Sequence, residues 1–346
     1  MARPPAKHKP RSPAVSLVVV TYESGPTLPA CLAALAAQSF RDFELILVDN
    51  ASADGAGRAA ARADSAIRLI ENTQNLGFAA AVNQGARAAR GRWLALLNPD
   101  AYAEPDWLAR LVAATRDHPD VRAFASRQLM AADPGRLDGL GDVMASPGFP
   151  FRGGYRRADP GAVAVGEVFS PCGGAMLVER ALFLALGGFD ERLFCYCEDV
   201  DLGYRLRLAG ERTLVIPAAV VRHEGSASTG GPRSDFAVFH GARNRLWVFV
   251  KDTPPVLFWL TLPLHVLTTA VLFARHATRG EFAAPWRGLK AGLAGLPAAL
   301  TARREAQARR TAGSLAIARA MTWNPLDLIL RRAVIRPLKP TRRAGA

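Results

Sequence analysis

Cysteine is scarce in this chain. Its 346 residues hold four, Cys31, Cys172, Cys195 and Cys197, and none form a C-x-x-C pair. Neither a disulfide framework nor a cysteine zinc site is expected, and a reducing, cytoplasmic setting follows. The glycine-rich turn of dinucleotide-binding sheets is missing as well: the first β-branched run, "VSLVVVT" (15–21), leads into "YESGPTLPA", which has a single glycine. A dinucleotide pyrophosphate needs G-x-G-x-x-G there for close backbone approach. No G-x-x-x-x-G-K-[ST] phosphate loop and no G-x-S-x-G nucleophile elbow occurs. The opening "MARPPAKHKPRSP" has no apolar run, so it is unlike a signal peptide, and residues 1–14 are expected to form a disordered basic arm.

Charge of one sign is lacking in the body and concentrated at the ends. The formal net charge is +14, yet residues 1–14 carry four Lys or Arg and no acid, and residues 275–346 carry fifteen against three acids. The intervening 15–274 is therefore near neutral, at −2. A nucleic-acid-binding fold would carry its basic face on the fold itself, so nucleic acid is not an expected partner. A basic tail suits an anionic lipid surface.

What is present is a regular alternation. Apolar runs at 15–21, 43–49, 67–71 and 93–97 read as strands; helix-period segments at 27–39, 54–63 and 78–90 separate them. This βαβαβαβ succession predicts a parallel sheet flanked by helices, with ligands bound beyond the carboxyl ends of the strands. Polar residues cluster at those ends: Thr21, Tyr22 and Glu23 after the first strand, Asp49, Asn50 and Ser52 after the second, "NTQNLGFAAAVNQG" after the third, and Asn98-Pro99-Asp100 after the fourth. Each has a turn or cap explanation, but four together point to one crevice. Residues 130–165, dense in Gly and Pro, are expected to be a mobile flap. Beyond them come a glycine pair, a strand, a short helix, the acids Glu198, Asp199 and Asp201, a helix from about Val200, and two strand-like runs ending at His223.

The order of these motifs resembles the family 2 glycosyltransferases with the GT-A fold, in particular their rhamnosyltransferase-like branch. The resemblance rests on Thr21-Tyr22, Asp49-Asn50-x-Ser52, Asn75-x-Gly77, Asn83-x-Gly85, Asn98-Pro99-Asp100, Gly173-Gly174, Gly187-Gly188-Phe189-Asp190, Glu198-Asp199-x-Asp201 and His223, across residues 15–250. It implies a mixed α/β sheet flanked by helices, with a nucleotide-sugar half (15–126) and an acceptor and catalytic half (127–250). It further implies a metal-dependent, inverting transferase. Asp100 would ligate Mg²⁺ or Mn²⁺, with His223 completing the site, since hard oxygen ligands and imidazole both suit these ions. Asn98 replaces the first acid of the family's D-x-D motif and would bond the ribose or phosphate. Asp199 would be the catalytic base, and Asp49 the partner of the pyrimidine ring. Thr21, Tyr22 and Glu23 would line that pocket, Asn75, Gly77 and Asn83 the ribose and diphosphate side, while Gly173 and Gly174 would permit close backbone approach. Arg243-Asn244 would either hold an acceptor phosphate or lie on a solvated helix face.

The remainder, 251–346, reads as a helical, basic, membrane-associating extension. "VLFWLTLPLHVLTTAVLFA" (256–274) carries no formal charge and is near the minimum for a membrane span; it either spans or lies flat. The expected activity is transfer of a sugar, rhamnose from a dTDP or UDP donor, to a lipid-linked or glycan acceptor in cell-envelope polysaccharide synthesis at the cytoplasmic membrane face. UDP-galactofuranose and UDP-N-acetylglucosamine are the alternative donors, and a catalytically idle carbohydrate-binding scaffold is the non-enzymatic alternative. No feature sets an oligomeric state.

Overall fold

A computed structural model of the chain describes residues 12–225, 230, 231 and 233–338. Residues 1–11 of the expected arm lie outside the described residues. The first half runs β1 (Val15–Thr21), α1 (Leu28–Ala36), β2 (Phe43–Asp49), α2 (Ala56–Ala63), β3 (Ile67–Glu71), α3 (Phe78–Ala88), β4 (Trp93–Leu97), β5 (Ala101–Ala103), α4 (Trp107–Asp117) and β6 (Ala123–Met130). Strands β1 to β4 match the four apolar runs residue for residue. β1 pairs in parallel with β2 and β4, and β2 with β3. The β1–β2 register sets Thr21 beside Asp49, so both polar ends emerge at one edge.

The second half holds β7 (Asp133–Leu140), β8 (Asp142–Ala145), β9 (Phe149–Arg152), β10 (Gly166–Val168), β11 (Ala175–Glu179), α5 (Arg180–Ala185), α6 (Glu198–Leu208) and β12 (Thr213–His223). The main sheet has the order β10-β12-β6-β11-β4-β1-β2-β3, with β7 against β6 and β5 against β12. β11 lies antiparallel to both β4 and β6, which makes the sheet mixed. Large apolar side chains cover both of its faces. Trp107 and Leu111 pack on one, Phe183, Phe189 and Leu206 on the other, each burial contributing about 1.5–3 kcal/mol.

The expected flap is instead built structure. Residues 133–152 form β7, β8 and β9, and Leu140, Val143, Met144, Phe149 and Phe151 are buried. The glycines that suggested a loop occupy its turns: Gly141 and Gly148 have φ of 72° and 77°, a region that favours residues without a Cβ. The two strand-like runs before His223 are one strand whose pairing with β6 shifts between Ile216 and Val220. α6 starts two residues earlier than expected, so the acids Glu198, Asp199 and Asp201 fill its first turn, where the helix dipole favours them.

The extension comprises α7 (Asp235–Asp252), α8 (Pro255–Ala277), α9 (Ala283–Ala294), α10 (Leu296–Ala308), α11 (Ser314–Ala320) and α12 (Pro325–Leu330), and ends in β13 (Arg336–Pro337), which pairs with β10. α8 is long and apolar enough to cross a membrane, with mean hydropathy 1.9 in its most apolar window. One stripe of it, Leu257, Thr261 and His265, is buried against the body. His265 stacks on Phe249 at 4.0 Å and its Nδ1 lies 2.7 Å from the Pro147 carbonyl. The opposite face exposes Trp259, Leu260, Leu267 and Val271.

Candidate active site

A cavity of about 810 Å³ opens at the carboxyl ends of β1, β2 and β4. Its donor-side wall includes Tyr22, Asn50, Asn75, Gly77, Asn98 and Asp100; the far wall brings Asp138, Asp142, Arg152, Cys172, Gly174, Phe194, Glu198, Asp199 and His223. Asp100 and His223 meet because β5, immediately after Asp100, pairs antiparallel with the end of β12 and sets Ala101 opposite His223. His223 Nε2 lies 3.2 Å from Asp100 Oδ1 and 3.3 Å from Asn98 Nδ2. Its other nitrogen, Nδ1, is 2.7 Å from Asp138 Oδ2, and Asp138 is itself paired with Arg152. A carboxylate on one ring nitrogen sets the tautomer and turns the other nitrogen toward a ligand. Burial pushes the His223 imidazolium down, but Asp100 and Asp138 outweigh it and hold the ring up at about 9.

These groups fit a divalent cation. Asp100 offers a carboxylate, His223 a nitrogen, and the buried Asn98 Oδ1 has no hydrogen-bond partner, so one further oxygen is open beside the pair. Asp142, Cys172 and Asp199 form a second group, with ligand atoms within 4.8 Å of one another. Its chemistry is less suited to Mg²⁺ or Mn²⁺: burial pushes the Cys172 thiol up, away from the thiolate a metal needs.

Asp199 is half-buried, and its Oδ2 accepts from the Gly173 N–H at 2.9 Å. Burial, then the proximity of Asp199, pushes Glu198 and Asp142 well above the usual carboxylate range. Carboxyl groups pushed upward by burial beside a third carboxyl are an arrangement that can separate acid and base roles. The segment that delivers Asp199 is strained: Phe194, Tyr196 and Cys197 have φ of 64°, 70° and 68°. It is fastened from α7, where the buried Asn244 donates through Nδ2 to the carbonyls of Leu193, Cys195 and Tyr196 at 2.7–2.9 Å. Arg243 donates to the Leu193 carbonyl at 3.0 Å and lies over Trp247. This pair therefore holds the loop rather than an open phosphate site.

Comparison with known proteins decides the family. Residues 16–150 match the model of glycosyl transferase family 2. An N-acetylglucosaminyl-diphospho-decaprenol L-rhamnosyltransferase of Mycobacterium tuberculosis is 34% identical over 265 residues, 68% of this chain and 83% of that protein. The chain belongs to glycosyltransferase family 2. The transferase also shares its fold with a mannosyltransferase from Pyrobaculum calidifontis in complex with GDP-Man and Mn²⁺, at 21% identity and TM-score 0.53 over 87% of this chain and 86% of that one. S. aureus TarS in complex with UDP gives 16% identity and TM-score 0.52 over 85% and 87%. These likenesses support the expected GT-A fold.

The transferase gathers most of the expected site residues at its cavity and leaves several behind the lining. Thr21 is fully buried below it. Asp49 accepts from the Ser52 N–H at 2.9 Å, Glu23 from the Ala53 N–H at 2.7 Å, and Gly173 serves through its N–H to Asp199. Asn75 accepts from Asn50 Nδ2 and from the Gly77 N–H, which shapes the turn into α3. Asn83 faces away from the cavity and fastens the Gly188–Glu191 turn, bonding the Phe189 backbone at both its N–H and its carbonyl. Gly174 lies beside Asn98, where a Cβ would stand 3.2 Å from Nδ2. The sequence did not point to Asp138, Asp142 and Arg152, because they sit in the segment taken for a flap; the alternation in "FPFR" (149–152) was the available signal.

Proposed function

We propose that this glycosyltransferase moves a hexose, rhamnose from a dTDP or UDP donor, to a sugar carried on a lipid diphosphate, with inversion at the anomeric carbon and with a bound divalent cation, in envelope polysaccharide synthesis. One observation carries it: Asp100 and His223 face Asp199 across a single cavity lined by the polar ends of β1, β2 and β4. The M. tuberculosis relative, named for a decaprenol-linked acceptor, supports the acceptor class.

In this reaction Asn50, Asn75 and Tyr22 bind the nucleotide at the strand ends. A divalent cation held by Asp100, His223 and Asn98 would neutralise charge on the departing diphosphate. Asp199 takes the proton from the acceptor hydroxyl as that oxygen bonds to the anomeric carbon and the carbon–diphosphate bond breaks on the opposite face. Asp138 holds His223 in the tautomer that presents Nε2. The Gly173 N–H fixes the Asp199 carboxylate, and Phe194 closes over Gly77 between the two walls.

The same reading sets the enzyme on the cytoplasmic face of a membrane. α8 is held to the body along Leu257, Thr261 and His265 while its other face is apolar and exposed, an arrangement for lying in the interface beside the basic residues of 275–338. The test is incubation of purified enzyme with Mn²⁺ and a panel of nucleotide sugars, reading nucleoside diphosphate release with and without a polyprenyl-diphosphate-linked sugar. Acceptor-dependent release from a dTDP- or UDP-sugar is expected; release from every donor that ignores the acceptor would overturn the acceptor class.

A further inference from the structure

The Arg243-Asn244 pair is committed to loop carbonyls, and Arg152 to Asp138. Among the cations that line the cavity, Arg331 differs: its guanidinium has no ion pair and no hydrogen bond among the described residues, and it lies over the Tyr155 ring at 5.5 Å. Arg156 lies over the same ring at 5.4 Å and has no carboxylate partner among the described residues either. One uncompensated guanidinium and one tyrosine thus line the far wall beside Arg152, and Arg156, exposed outside the lining, flanks the same ring. Burial, together with the positive charge of Arg152 and Arg156, holds Arg331 below its ordinary range, as expected where a cation lacks an anion.

The surroundings narrow what that anion is. Arg331 is held in a left-handed conformation at the end of α12, at φ 49° and ψ 44°, and its carbonyl accepts from the Gly154 N–H at 2.7 Å, so its backbone is fixed at the rim. Just before it, α12 exposes Ile329 and Leu330. Leu328 of α12 and Leu272 of α8 pack on the same Phe149 and Phe151 cluster, of which Phe151 also lines the cavity. Apolar lip, guanidinium and catalytic cavity succeed one another along one path.

We propose that Arg331, with Arg156 and Tyr155, is the site that binds the phosphate of an isoprenoid-phosphate acceptor, its apolar chain lying along α12 and α8. This rests on the lipid-linked acceptor proposed above. A guanidinium donates to phosphate oxygens through paired N–H groups, and fixing the phosphate at the rim aims the attached sugar toward Asp199.

The test is binding of farnesyl diphosphate to the full-length enzyme in detergent, with the donor pocket saturated by dTDP or UDP. Arg331→Gln is expected to weaken farnesyl diphosphate binding about tenfold or more, the loss expected for a hydrogen bond to a charged group. Arg156→Gln should weaken it only about threefold, because Arg156 is exposed and solvent screens its charge. The dTDP or UDP affinity of both variants stays within about twofold, since neither residue is at the strand ends. Equal binding by wild type and Arg331→Gln overturns the proposal. So does an equal loss of nucleotide affinity, which would assign the wall to the donor, and so does competition by phosphatidylglycerol in mixed micelles as strong as by farnesyl diphosphate at equal phosphate, which would make the attraction a general headgroup effect. If transfer assays identify a lipid-free acceptor while Arg331→Gln still loses farnesyl diphosphate, the phosphate site stands and the acceptor class falls.

Discussion

The two walls of the cavity are built in different ways. On the donor side each polar group sits one turn beyond a parallel strand: Tyr22 after β1, Asn50 after β2, Asn98 after β4. Each is placed by its own strand end, with Asn50 also bonded to the neighbouring turn at Asn75 and Asn98 lying against His223. On the far side the decisive contacts are long-range: His223 is oriented by Asp138, 85 residues earlier, and the loop before Asp199 is held by Asn244, 48 to 51 residues later. A change on the donor wall should therefore stay local, while a change on the far wall should travel.

The largest effect expected is at Asp199. Asp199→Asn should lower kcat by about 10²–10⁴-fold, the usual share of a positioned base, with donor affinity by calorimetry unchanged; full activity would remove Asp199 from the base role. Asp138→Asn comes next, because it releases His223 without touching the donor or the cation. A loss of about 10–100-fold in Mn²⁺ affinity is expected, as for other partners of metal-bound histidines. The pH dependence sharpens the same point. A proton and a cation compete for the imidazole, whose folded value is raised to about 9, so Mn²⁺ affinity should climb as pH rises toward that value, by at most about tenfold per unit. A flat profile in the wild type would exclude His223 as a ligand.

Asn244→Asp keeps the shape of the side chain and replaces its N–H donor by an oxygen facing three carbonyls. It should reduce kcat by roughly tenfold or more through displacement of the Asp199 loop, with nucleotide affinity intact; unaltered kcat in the folded variant would show that the far wall is as local as the donor wall. The smallest effect is expected on the donor side. Thr21 is fully buried and its hydroxyl has no partner, so Thr21→Val should change stability by less than about 1 kcal/mol, read as a melting temperature within a few degrees. A loss of donor affinity in that variant would instead show that the hydroxyl reaches the nucleotide.

The same asymmetry governs what could be read from the residues alone. β1 to β4 were legible because β-branched, fully buried strands are continuous apolar runs, and Asp100, Asp199 and His223, which line one cavity, were singled out by ordered motifs that resemble a known family. The strands β7 to β9 were not. Their glycines and prolines are turn and bulge residues, and the alternation in "FPFR" is too short by itself to outweigh them. The Arg243-Asn244 pair was visible as a motif but not in its role, since nothing near it in sequence shows the three carbonyls it would meet.

By itself the sequence determined the family and the parallel core, and it singled out the carboxylates and the histidine proposed to carry the chemistry, because those follow from local propensity and from residue types whose reactivity is intrinsic. Only the tertiary structure decided that Asp138 orients His223, that burial beside Asp199 pushes Glu198 and Asp142 upward, that Asn244 holds the loop carrying Asp199, and that Arg331 is left uncompensated at the cavity rim. The reason is physical. Protonation, tautomer and unpaired charge depend on burial and on partners tens to hundreds of residues away, and those distances exist only once the chain has folded.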